Sequence, residues 1–193
     1  GYVIGLPLGV TLAVTGKGGI RENKVVYRIL DVISNVIRSI PFLILLILII
    51  PLTRFLVGKS YGSSATIVPL VIAAAPFIAR MVESSLQEVD EGVIEAAKSM
   101  GAGTWTIIFR VLLVEARTSL IVGVTIALGT ILGYSAMAGV VGGGGLGDIA
   151  IRYGYYRYQT DIMVVTIVIL VLIVQVLQAL GMMLSKKLDR RNK

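Results

Sequence analysis

Cysteine and histidine are both absent from the 193 residues, and charged side chains make up only 15% of them. Without cysteine there is no disulfide and no thiolate nucleophile. Without histidine, imidazole acid–base chemistry and the usual Cys/His zinc sites are excluded too. No nucleophile–base pair or metal cluster stands out among the residues that remain. What is abundant is apolar: 56% of the residues are hydrophobic and the mean hydropathy is +0.90, well above a soluble domain of this size. The composition points to one all-α, polytopic membrane domain over 1–193, with no stretch left for a second folded unit.

Five apolar segments can be followed along the chain. The first, Tyr2–Thr15, is shorter than the roughly 20 residues that cross a bilayer core and lacks the basic flank of a signal peptide. It is expected to be a span whose beginning lies outside the sequence. After a polar stretch at 16–28, the second segment covers about 32–57. Pro41 and Pro51 are expected to kink it. Arg38, near its start, either snorkels to the interface or serves the pathway or a subunit contact. The third segment, about 65–82, contains Pro69, Pro76 and the small residues Ala73, Ala74 and Ala75. It exits at Arg80 and Glu83, which are spaced to pair. Residues 118–147 carry no charge. Their first two-thirds reads as a span with Gly129 and Gly133 as a GxxxG contact, and the rest is too glycine-rich for a regular helix. The last segment, 162–185, is long enough to span with some tilt; Gln175 and Gln178 either contact another helix, the favoured reading, or face the pathway.

Between the third and fourth spans lies the most informative stretch. Val93, Ala97, Met100, Ile107 or Ile108, and Val111 or Leu112 recur at three- and four-residue spacing, the period of an amphipathic helix. Gly101 and Gly103 interrupt it, so two short helices joined by a tight turn are expected. Glu88, Asp90, Glu91 and Glu95 precede Lys98 and Arg110, the order a helix dipole favours. Such a hairpin either lies on lipid or plugs into a soluble partner. Its polar face has no positive bias, which favours the plug.

The spacing Glu95-Ala96-Ala97, Gly101 and, after nine residues, Val111-Leu112-Leu113-Val114 resembles the signature cytoplasmic loop of ABC importer permease subunits. Val114 departs from the family's usual proline and implies a softer turn there. Residues 38–42, 74–83, 133–137 and 143–147 are similar to the permease subunit of methionine importers, so the resemblance runs over essentially the whole chain. It implies a cytoplasmic coupling loop at about 84–115, with Glu95, Ala96, Ala97 and Gly101 at the ATPase contact. Glu95 either pairs there or caps its own helix. It further implies a homodimer, two cytoplasmic ABC ATPase subunits that hydrolyse the ATP, and a substrate-binding protein. The chain itself is then non-catalytic and needs no cofactor or metal. Ser135 and Met137 fall at the closed outer gate, with packing as the plain alternative for Met137. The implied cargo is methionine, L and D. Another amino acid, a sulfonate, a phosphonate or a quaternary amine stays open. The implied location is a bacterial inner membrane.

Charge placement gives the topology. With the loop cytoplasmic, thirteen of the 18 Lys and Arg residues lie inside and four outside, while Arg38 falls within a span. The positive-inside rule therefore supports five spans with the C-terminus cytoplasmic. The net charge of +7 is orientation charge, with no nucleic-acid partner implied. Gly142, Gly144 and Gly147 satisfy GxGxxG but follow a membrane span, so they read as flexible backbone at an outer mouth. Gly58-Lys59-Ser60 lacks the first P-loop glycine, since position 53 is Thr53. Tyr153, Tyr155, Tyr156 and Tyr158 form either an interfacial belt or a docking surface for the binding protein. An ATP-independent channel or secondary transporter is the rival class. It usually carries mid-span carboxylates, and here Asp31, Glu83 and Asp161 all read as lying at span ends.

Overall fold

The computed structural model describes residues 1–188; Arg190, Arg191 and Lys193, counted above on the cytoplasmic side, lie outside the described residues. Among the described residues the chain is helical throughout, without strands. In chain order the α-helices are α1 (Tyr2–Thr15), α2 (Lys24–Ser39), α3 (Phe42–Leu48), α4 (Ile50–Val57), α5 (Ser63–Gln87) and α6 (Glu91–Ser99). They continue as α7 (Thr104–Thr106), α8 (Leu113–Glu115), α9 (Arg117–Ala138), α10 (Gly145–Ile149) and α11 (Thr160–Leu188). Two π-helical segments, Ile107–Leu112 and Ala150–Tyr155, join α7 to α8 and follow α10.

Helix α5 is the centre of the molecule, packed by α1, α2, α3, α4 and α9, while α11 packs on α9. Its buried face, Ala74, Ile78, Val82 and Leu86, forms one core with Val89, Ala97, Ile107 and Leu112. The densest pairing is α1 on α5. A Cβ on Gly5 would lie 2.7 Å from the Ile78 Cβ, and one on Gly9 would lie 2.5 Å from the Val82 Cβ. Contact partners advance together along both helices, so α1 and α5 run parallel, with a small-residue pair bringing the backbones together. The anticipated GxxxG is weaker. A Cβ on Gly133 would meet nothing within 4 Å, and Gly129 lies against the Gln178 amide, which does contact a neighbouring helix.

The second apolar segment departs from expectation. It is broken where a kink was predicted: α2 and α3 meet at 103°. Ile40 is extended (φ −83°, ψ 123°) ahead of Pro41, because the proline ring disfavours helical geometry in the residue before it. Residues 32–39 therefore belong to α2, a separate amphipathic helix capped by the Asn23 side chain, which accepts from the Val25 and Val26 amides at 3.1 Å. Arg38 lies exposed on its last turn. It lines a small cavity with Phe77 and Tyr134. Helices α3 and α4 cover 42–57, roughly 24 Å. Among the described residues three helices are long and apolar enough to cross a membrane: Ser63–Gln87, Arg117–Val141 and Thr160–Leu188.

The glycine-rich stretch holds its glycines for two reasons. At Gly139, Gly143 and Gly147 a Cβ would fall under 3 Å from neighbouring backbone, while Gly142, Gly144 and Gly145 take positive φ. Gly142 takes φ 78°, and its carbonyl accepts from the Gly62 amide at 3.1 Å. A Cβ on Gly147 would overlap the Ala136 carbonyl. The chain thus folds back against the end of α9 before α11 begins.

Candidate functional site

The hairpin between α5 and α9 starts from local caps. Asp90 ends the turn after α5 and accepts from the Gly92 amide at 2.8 Å, the usual role of an N-cap aspartate. Helix α6 stops in a Schellman motif: the Ala102 amide donates to the Ala97 carbonyl at 3.0 Å, and the Gly101 amide to Lys98 at 2.9 Å. That geometry places Gly101 at φ 79°, a left-handed conformation costly for other L-residues. A Cβ there would meet nothing within 4 Å of this chain, so the glycine is required by its backbone.

The four residues singled out in this loop divide into two groups. Ala97 is turned inward and buried in the hairpin's own core with Ile107. Glu95, Ala96 and Gly101 are exposed. Asp90 caps α6, which leaves Glu95 in mid-helix without a hydrogen bond or ion pair among the described residues. Beyond the turn, Ile107 and Ile108 are buried while Trp105 and Phe109 stack at 5.9 Å with both rings exposed. These two aromatics fall outside the three- and four-residue series, two of whose members, Val93 and Met100, are themselves exposed. The signal was present in the sequence: Trp105 is the single tryptophan, spaced i, i+4 from Phe109 on a polar loop. The helix does not stop at Val114. It runs on to Glu115 and breaks at Ala116 (φ −76°, ψ −2°), so no proline is needed to end it. An open cleft of about 400 Å³, lined by Ser85, Glu88, Asp90, Glu115 and Arg117 among others, separates the hairpin from the start of α9.

Two turns before the end of α5 lies a polar cluster. Arg80 donates to Glu83 Oε2 at 2.7 Å and to the Asn35 side chain at 3.1 Å, and it is ion-paired with Asp31. The predicted Arg80–Glu83 pair is therefore part of a junction that holds α2 on α5. Glu83 lies one turn before the end of α5 at Gln87. It is 4% exposed and shares Arg80 with Asp31.

Ser135 and Met137 both lie in the last turn of α9 and both are exposed on this chain. Two residues apart on a helix, they point about 200° away from each other. Met137 shares a stripe with Ile126, Gly133 and Val140, and Ser135 with Leu128, so the two are not brought to one surface. Tyr134 between them stacks on Phe42 at 4.7 Å. The tyrosines before α11 form an exposed group. Tyr155 and Tyr156 meet edge to face at 5.4 Å, and the Arg157 guanidinium lies 4.7 Å over the Tyr153 ring.

Comparison with known proteins places this geometry. The chain is 51% identical over 191 residues to a Vibrio cholerae protein described as "Probable D-methionine transport system permease protein MetI", covering 99% of this chain and 85% of the relative. It is 46% identical over 180 residues to the methionine import system permease protein MetP of Bacillus subtilis, covering 93% and 81%. Its fold superposes with TM-score 0.96 and 49% identity on a chain of the inward-facing methionine ABC transporter MetNI, covering 98% of this chain and 88% of that one. An amino acid ABC transporter at 21% identity shares the fold, with TM-score 0.76. The pattern described as "Binding-protein-dependent transport system inner membrane component" matches residues 5–193. From its central helix and exposed hairpin to its full-length likeness, the chain belongs to the binding-protein-dependent transport system inner membrane component family.

Proposed function

We propose that this chain is the membrane subunit of an ATP-driven methionine importer, two copies of which enclose the translocation path. The observation that carries the reading is the hairpin. A rigid helical loop continuous with the core of α5 presents Glu95, Ala96, Gly101, Met100, Trp105 and Phe109 outward. Exposed aromatic anchors beside small residues are what a docking contact uses, and the resemblance of the whole chain to methionine permeases supplies the partner, a cytoplasmic ATPase. Closure of two such ATPase subunits on ATP would move the hairpins, and α5 would carry the motion into the bundle. Of the two gate candidates, Met137 has the side chain and the open stripe to close a path against its symmetry mate. A binding protein delivers the cargo at the opposite face, where the tyrosines cluster. α1, α3–α4, α5, α9 and α11 make five crossings, with the hairpin and C-terminus cytoplasmic. The parallel packing of α1 on α5 supports this, since parallel helices need one return crossing between them.

The test is uptake into proteoliposomes holding the full-length permease, its ATPase and its binding protein. L- and D-methionine accumulate only with ATP, and Trp105→Ala with Phe109→Ala abolishes accumulation by releasing the ATPase. Methionine uptake without the ATPase would overturn the assignment, and ATP turnover coupled to a different solute would overturn the cargo.

A further inference from the structure

From the corner between α1 and α2 we infer a binding site for an anionic phospholipid, built from this chain alone and separate from the translocation path. A chamber of about 550 Å³ opens at the end of α1, with Thr15, Lys17, Lys24, Tyr27 and Arg28 in its wall. An apolar groove of about 480 Å³ adjoins it, sharing Lys24 and Arg28 and continuing along Val25, Ile29, Val32 and Ile33. The charges in the chamber are unevenly satisfied. Glu22 and Asp31 also line it; Asp31 shares Arg80 with Glu83, and Glu22 lies 3.9 Å from Lys24. Among the described residues no carboxylate lies within 4 Å of Lys17 or Arg28, and the three cations of the lining, Lys17, Lys24 and Arg28, outnumber its two carboxylates.

The groove is the outward face of α2. Val25, Ile29, Val32 and Val36 form a stripe, each more than half exposed, while the polar face with Asp31, Ser34 and Asn35 is turned to the bundle. A water-filled path would not be lined this way; the stripe suits hydrocarbon. The stripe alone would accept any apolar partner. The basic lip at one end selects an amphiphile with a negative head. The depth fits as well: the chamber lies where α1 ends, the level at which a membrane helix meets the headgroups. Basic pockets between membrane helices are where anionic headgroups are held. Because α1 runs parallel to α5, this corner is on the same side as the coupling hairpin. Its assignment to the cytoplasmic leaflet rests on the function proposed above, while the lipid affinity does not.

The test is native mass spectrometry of the purified permease–ATPase complex, titrated with phosphatidylglycerol, cardiolipin or phosphatidylethanolamine. Lys17→Gln with Arg28→Gln lowers the affinity for both anionic lipids by about fivefold per charge removed and leaves phosphatidylethanolamine unchanged. Arg54→Gln with Lys59→Gln, on the opposite side of the molecule, alters none of the three. Inorganic phosphate at millimolar concentration does not displace the retained lipid. Equal losses in both double variants, or none in either, would overturn the site. Displacement by phosphate would reassign it to a soluble anion. The chain has no cysteine, so Val32→Cys gives a single thiol on the stripe. Its disulfide cross-linking to a second copy would show that a protomer, not lipid, covers this face.

Discussion

Gly101 shows how one residue can be required for either of two reasons, and how to separate them. Its φ of 79° would cost another L-residue about 1–2 kcal/mol, which asparagine tolerates better than most. Its Cβ direction is empty in this chain, so any steric objection to a side chain must come from a partner. Gly101→Asn and Gly101→Val therefore discriminate. Where the backbone alone matters, the asparagine variant retains ATP-driven uptake and ATPase co-purification while the valine variant loses both. Where the ATPase approaches closely, both variants fail alike. The same residue-scale view redistributes the loop signature: Ala97 packs the hairpin internally, and Ala96 and Glu95 face outward.

At the scale of elements, the Arg80 cluster is the joint between α2 and α5. Arg80 faces two carboxylates, Asp31 on α2 and Glu83 on α5. Removing the cation leaves both charged groups in a poorly solvated seam. Breaking such a pair by deleting one partner costs about 3–5 kcal/mol. Arg80→Met is expected to lower the thermal unfolding midpoint of the purified complex and to expose α2 to proteolysis. Glu83→Gln, which keeps an acceptor for Arg80 and still leaves it Asp31, is expected to cost much less. Equal effects of the two substitutions would show that the seam is held by apolar packing instead. The neighbouring elbow at Pro41 and the hairpin turn at Gly101 are similar devices: a single residue sets the direction of the next helix, the proline by restricting the backbone before it and the glycine by admitting a left-handed turn.

For the whole molecule, the proposed orientation is directly measurable, because the chain offers no thiol of its own. A single cysteine at Lys59→Cys, between α4 and α5, reacts with a membrane-impermeant maleimide in intact spheroplasts. One at Lys98→Cys, in the hairpin, reacts only after permeabilisation. The reverse pattern would invert the topology and remove the hairpin from any cytoplasmic ATPase. The wide exposed faces of α11 and α9 accord with a subunit whose remaining contacts are with lipid and a second copy.

Much of this was legible in the sequence because membrane burial writes itself as composition and length. The all-α class, the apolar segments at α1, α5, α9 and α11, and the two short helices around Gly101 all follow from runs and periods that read locally. The Arg80–Glu83 pair was legible for the same reason, as both lie on one helix. Only the tertiary structure decided the rest. It put Asp31, 49 residues away from Arg80, on the same ion pair. It turned Pro41 from a kink into a 103° elbow, folded the glycines after α9 back against the end of that helix, and directed Ser135 and Met137 to different faces. Hydropathy records how much of a segment is apolar; which side of a helix meets another helix is set by packing between residues remote in the chain.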